Sequence, residues 1–371
     1  MFMGFTRADL EKLWKDDAAA HEENCFSPRS PQVALGIGMS DECVFSELGE
    51  EGAPWAYTPL ERRIDLNKRY NDKAEKIVGR RLLSENLPPP EAHLPAVKRI
   101  GEVFGGKYTW YNGTEWLEGG IKTQKELETQ LCKIDKMDLR EFMLPANWEA
   151  ECKIKFEKYG IRPQSHHGVR GPVTLACSVF GIEELIYLIN DAPDLADRFS
   201  KTIADVIIKM TEIMDAEAGK QSFGFGFSDD NCCMLNCEMY EFFGYPILKR
   251  VFDRFCPEKQ HPRYQHSDSA MEHLLPCLGR LDFHGVNFGP TVTVDKIRKY
   301  MPLTRIDGCI APFTFMNNDK KKITEEVKRD CEMAKKYGRG VNIATAGSIN
   351  DGSSLESMLA VICAICEYGR Y

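Results

Sequence analysis

Gly285-Val-Asn-Phe-Gly-Pro-Thr-Val-Thr-Val-Asp-Lys-Ile-Arg-Lys-Tyr-Met-Pro-Leu-Thr-Arg-Ile-Asp307 decides the fold class. Its first four residues read as a buried strand, 294–300 as a helix and 304–307 as the next strand. A strand, a helix and a strand in so short a span imply parallel pairing, because the chain must cross back over the sheet. The pattern extends in both directions. Further strand-like runs fall at 173–176, 222–227, 263–265 and 340–344, and helical runs at 183–190, 194–217, 237–255, 271–281, 323–337 and 355–368. Repeated β–α units of roughly 25 to 45 residues predict an α/β fold with parallel strands. A closed (β/α)8 TIM barrel fits better than an open sheet, because no Gly-rich phosphate loop follows an early strand.

The N-terminal third reads differently. A helix is expected near 6–21 and a basic helix around 60–83, with the apolar run Val33-Ala-Leu-Gly-Ile-Gly-Met39 between them. Leu87-Pro-Pro-Pro90 ends the second helix, since proline cannot continue it. Tyr108-Thr-Trp-Tyr-Asn-Gly-Thr-Glu-Trp116 is a β-hairpin signature, with Asn112-Gly113 supplying a type I′ turn and the aromatics expected to pack across the strands. The predicted organisation is an N-terminal helical extension, 1–95, packed on a barrel of 96–371.

Composition bounds the function. Of 371 residues, 43% are hydrophobic and 28% charged, which suits a large globular core. The formal net charge of −8 argues against a nucleic-acid partner held through phosphates. No run of about eighteen apolar residues predicts a membrane span. The segment 1–23 is charged and amphipathic, so no signal peptide is expected. The 14 cysteines then read as reduced thiols of a cytoplasmic protein. Cys363-Ala-Ile-Cys366 has CxxC spacing inside an apolar helix and lacks a second pair, so its thiols read as structural.

Polar residues gather where strands end. His266 and Asp268 lie two apart in Tyr264-Gln-His-Ser-Asp-Ser269 and therefore face one side, as metal ligands, as an acid–base pair or as an ordinary structural pair. Asp229 and Asp230 follow the 222–227 strand, Asn287 lies near the end of the strand that begins at Gly285, and Cys309 follows the 304–307 strand. In a barrel these ends meet on the C-terminal face, where active sites are built. Asp229 and Asp230 read either as site carboxylates, one of them a general acid, or as caps for the following helix. His166 and His167 precede a strand and read as ligands, acids or surface groups. Phe223, Phe225 and Phe227 alternate with glycine and read as core, with Phe227 nearest a substrate; Tyr240 and Asn287 are further candidates for polar contacts.

The order of motifs resembles the uroporphyrinogen decarboxylase superfamily. Gly171-Pro-Val-Thr-Leu-Ala176, Gly181-Ile-Glu-Glu-Leu185, Asp191-Ala-Pro-Asp194, Asp229-Asp-Asn231, His266-Ser-Asp268, Gly285-Val-Asn-Phe-Gly-Pro290 and Ile297-Arg-Lys-Tyr-Met-Pro302 carry it. The resemblance covers about residues 160–371 and implies a TIM barrel in one of two branches. The decarboxylase branch carries an N-terminal Arg-Gln-Ala-Gly-Arg motif, which is missing here. The nearest basic cluster, Gly79-Arg-Arg81, reads as a solvated face. The other branch comprises corrinoid-dependent methyltransferases, usually with zinc. It often carries His-x-Cys where this chain has His266 and Asp268, and a later cysteine where it has Ala344-Thr-Ala-Gly347. Oxygen in place of sulfur suits a harder site that polarises an oxygen.

The resemblance therefore implies an O-demethylase component. It would take a methyl group from an aryl methyl ether and pass it to Co(I) of a separate corrinoid protein. No corrinoid-binding Asp-x-His-x-x-Gly stretch occurs in this chain. The expected metal ligands are Asp230, His266 and Asp268 or Cys309, with zinc as the ion. Asp229, His266 and His167 are the expected catalytic groups, and Phe227, Tyr240, Asn287 and His166 the substrate contacts. A homodimer is among the expected assemblies. The rival readings are a decarboxylase of a small acid, protonating carbon through Asp229, and a non-catalytic barrel that binds a corrinoid protein.

Overall fold

The computed structural model describes residues 6–111 and 113–371, so the turn residue Asn112 and residues 1–5 of the N-terminal segment lie outside the described residues. The strands in chain order are β1 (Ala34–Leu35), β2 (Lys107–Tyr111), β3 (Thr114–Glu118), β4 (Gly168–Arg170), β5 (Phe225–Ser228), β6 (Arg263–Ser267), β7 (Gly285–Phe288), β8 (Arg305–Asp307) and β9 (Val341–Ile343). The helices that matter below are α1 (Arg7–Ala20), α2 (Leu60–Val78), α3 (Pro172–Phe180), α4 (Pro193–Ala218), α5 (Cys237–Phe255), α6 (Leu275–Leu278), α7 (Val294–Tyr300), α8 (Lys320–Tyr337) and α9 (Leu355–Tyr368).

Seven strands form one parallel sheet in the order β1-β9-β8-β7-β6-β5-β4. The first strand of the chain lies beside the last, and the rest follow in sequence. That is the strand order of a β/α barrel, here with seven strands among the described residues where eight were expected. Among those residues no single helix is long and apolar enough to cross a membrane.

The chain divides into two compact units. One comprises 1–87, 267–272 and 284–371. In it the apolar run at 33–39 supplies β1, which pairs in parallel with β9 through Ala34–Asn342 and Leu35–Ile343. Asp17 of α1 fixes this short strand by accepting the Leu35 N–H at 2.7 Å. Arg298 of α7 is buried, and its guanidinium donates to the carbonyls of Met301, Thr304, Arg339 and Gly340. One cation thus satisfies the loops leading into β8 and β9, as a buried charge must be.

The other unit comprises 88–266 and 273–283. The hairpin β2–β3 forms there, with Tyr108 opposite Leu117 and Trp110 opposite Glu115. Trp110, Tyr111 and Trp116 are exposed, and Arg99 covers Tyr108 at 3.4 Å while bonding Glu115.

The run at 173–176, expected as a strand, lies inside α3. Pro172 occupies the first turn of that helix, where its missing N–H costs nothing. The true strand is β4, immediately before it. The helix expected over 271–281 is broken into α6 flanked by two short 3-10 turns. Helices α5, α7 and α9 match their expected bounds.

Candidate active site

Strand alternation sorts the polar residues of β5 and β6 onto two faces. Phe225 and Phe227 are buried and pack towards α5, with Phe227 5.5 Å from Phe252 and Phe225 5.5 Å from Phe255. Asp229 continues that face, and Gly226, Ser228 and Asp230 take the opposite one. On β6, Ser228 is paired with His266, which puts His266 on the face of Asp230.

His266 Nε2 and Asp230 Oδ1 lie 3.5 Å apart, with side chains 22% and 41% exposed. Asp268 follows two residues beyond His266, and the ligand atoms of Asp230, His266 and Asp268 all lie within 4.8 Å of one another. One imidazole nitrogen and two carboxylates could hold a divalent ion, partly open to solvent. The residues present therefore fit a metal of the zinc type. Cys309 belongs to no ligand group among the described residues. It is fully buried, its N–H donates to Asp330 Oδ2 at 2.8 Å, and burial pushes its thiol well above the ordinary range.

Asp229 takes a different part from its neighbour. It is fully buried, and its Oδ1 accepts the Thr174 N–H of α3 at 2.8 Å. The carboxylate thus caps a helix N-terminus, the preceding helix rather than the following one. Burial pushes its pKa from 3.8 up to about 6, against the hydrogen bonds of Thr174 and Val173, and Asp230 adds the smallest push. Crowding by the adjacent carboxylate is therefore a minor cause. A β-carbon at Gly171 would overlap the Asp229 side chain, so only glycine lets the helix start so close.

The remaining candidates are engaged elsewhere. His167 precedes β4, at the N-terminal end of the strand. Its Nδ1 meets the Gly224 carbonyl at 2.8 Å and its Nε2 meets Asp215 at 2.8 Å. His166 lines a cavity of about 500 Å³ with Arg99, Tyr108 and Arg170. Tyr240 is fully buried in α5. Asn287 donates to the carbonyls of Asp307 and Thr345 and accepts from the Gly347 N–H, binding the ends of β7, β8 and β9. Phe223 lies before β5, exposed and stacked on His261 at 4.4 Å. Both Cys363 and Cys366 sit half-buried on α9, and burial raises each thiol to about 11.

One residue escaped the sequence reading. Register sets Arg170, Ser228 and His266 abreast across β4, β5 and β6. Arg170 is exposed and makes no ion pair among the described residues. It was missed because the strand was placed after Gly171. The signal was there: Gly171-Pro172 marks a helix start, so the strand had to precede it.

Fold and site together define a parallel β/α-barrel protein with a histidine–carboxylate cluster where β5 and β6 end. Residues 167–368 match the model of the family described as uroporphyrinogen decarboxylase (URO-D), and the chain belongs to that family. A solved structure of a methyltransferase from Methanosarcina mazei is similar to this one, with a TM-score of 0.57 and 16% identity over 92% of this chain and 95% of that one. At that identity the likeness is one of fold. No curated protein matches the sequence.

Proposed function

We propose that the protein is a methyltransferase that demethylates a methoxylated aromatic substrate and transfers the methyl group to Co(I) of a separate corrinoid protein. The observation that carries this reading is the cluster of Asp230, His266 and Asp268, a histidine and two carboxylates, with Asp268 standing where the resemblance implies a cysteine in thiol-methylating members. The fold shared with a methyltransferase supports it.

Asp230, His266 and Asp268 would hold a zinc ion, whose Lewis acidity favours departure of the phenoxide from an aryl methyl ether. The chain's own contribution is position and charge. Phe225 and Phe227, locked against α5, fix β5, so that Asp230 emerges at a set height beside His266. Buried Asp229 anchors the start of α3 and holds the turn from which Asp230 projects. Arg170, two strands from His266, offers a cation to an anionic substituent of the substrate.

Metal removal tests the reading. Protein treated with a strong chelator is expected to lose methyl transfer and to regain it with Zn²⁺. Full activity in metal-free protein would remove the metal from the account.

A further inference from the structure

A second ligand set lies wholly within the unit that contains α5. Asn236 caps that helix, accepting the Met239 N–H at 2.8 Å, and this leaves Cys237 at the first helical position. Glu241 follows four residues later and so shares its helix face. Cys277 comes from α6, with its thiol donating to the Leu274 carbonyl at 3.1 Å. His273 meets the Leu235 carbonyl at 2.8 Å, tying the segment before α6 to the segment before α5. The ligand atoms of Cys237, Glu241 and Cys277 lie within 4.8 Å of one another.

We propose that Cys237, Cys277 and Glu241 form a zinc site, distinct from the Asp230–His266 cluster, that clips α5 to α6. Two sulfurs and a carboxylate match the donor preference of zinc, with a fourth position left to water. Zinc–sulfur bonds of about 2.3 Å put two ligand sulfurs roughly 3.8 Å apart, so the set closes by small side-chain rotations. Charge agrees as well. Two thiolates and a carboxylate exceed the ion by one negative charge, and Arg280 balances it, bonding Glu241 at 2.6 Å.

Burial supports the same assignment. Cys277 is buried, Cys237 half-buried and Glu241 exposed, so the site is closed on one side and open to an entering ion on the other. Zinc takes cysteine as thiolate, so affinity rises with pH.

Cobalt(II) added to the reduced, metal-free protein tests the site, because thiolate ligation gives a near-ultraviolet charge-transfer band that a histidine–carboxylate site lacks. The band is expected with the wild type, retained in His266→Ala and lost in Cys237→Ser. Glu241→Gln should bind at least about tenfold more weakly. Cys237 is only half-buried at a helix start, so its serine variant should fold, which circular dichroism checks, while Cys277→Ser serves as the second thiol variant. No band in the wild type, or an unchanged band in Cys237→Ser, would overturn the proposal.

Discussion

Replacing Asp229 by asparagine should change the pH dependence of stability in a direction fixed by burial. In the unfolded chain this carboxyl ionises near 3.8, and in the folded protein it keeps its proton to about 6. Between those values the native state binds more protons than the unfolded state, so stability falls as pH rises. The loss is complete above about 6, and the interval from 3.8 to about 6 is worth about 3 kcal/mol. The amide of the Asp229→Asn variant would keep an oxygen to accept the Thr174 N–H but would have no proton to lose. Urea unfolding of both proteins at about pH 4 and about pH 7 isolates the effect, because all other titrating groups are common to the pair. Because the unfolded carboxyl is already more than half ionised at about pH 4, the wild type should lose about 2 kcal/mol relative to Asp229→Asn on going to the higher pH. A stability difference that stays constant between the two conditions, or changes in the opposite sense, would mean that burial does not hold a proton on Asp229.

Three further outcomes follow from the same geometry. Gly171→Ala drives a methyl group into Asp229 and should cost about 1–3 kcal/mol in denaturant unfolding, with part of the loss recovered when Asp229→Gly makes room. Asp215→Ala leaves the nearly buried His167 without its partner and should cost about 3–5 kcal/mol, while methyl transfer per folded molecule stays unchanged below the melting range. Arg170→Ala should raise KM about 10- to 100-fold for a methoxybenzoate, with little change in kcat, and leave an uncharged methoxyarene unaffected.

Much of the fold was legible because hydrophobic periodicity reports helices well. The bounds of α5, α7 and α9 could be read from the sequence alone. Strands were harder. The apolar run at 173–176 suits a strand or a buried helix equally, and only Gly171-Pro172 breaks the tie. The site was legible in part for a related reason. His266 and Asp268 share a strand end, so their spacing alone brings them together. Asp229 and Asp230 are chemically identical neighbours, and what separates them is the phase of β5, set by Phe225 and Phe227 packing on α5. Phase is a tertiary property. His167 and Cys309 show the same limit, since each is chemically apt yet His167 is engaged by Asp215 from a distant part of the chain and the Cys309 side chain is buried. The pairing of Cys237 with Cys277 joins residues 40 positions apart through a helix contact, and no spacing rule announces it.

Methyl transfer governed by the histidine–carboxylate cluster is read most directly from the absorbance of a reduced corrinoid protein mixed with this protein and a methoxyarene. Co(I) should convert to methyl-Co(III), and His266→Ala and Asp230→Asn should slow the conversion at least about 100-fold. No methyl-cobalt with any methoxylated donor, or full conversion by the His266→Ala variant, would contradict it.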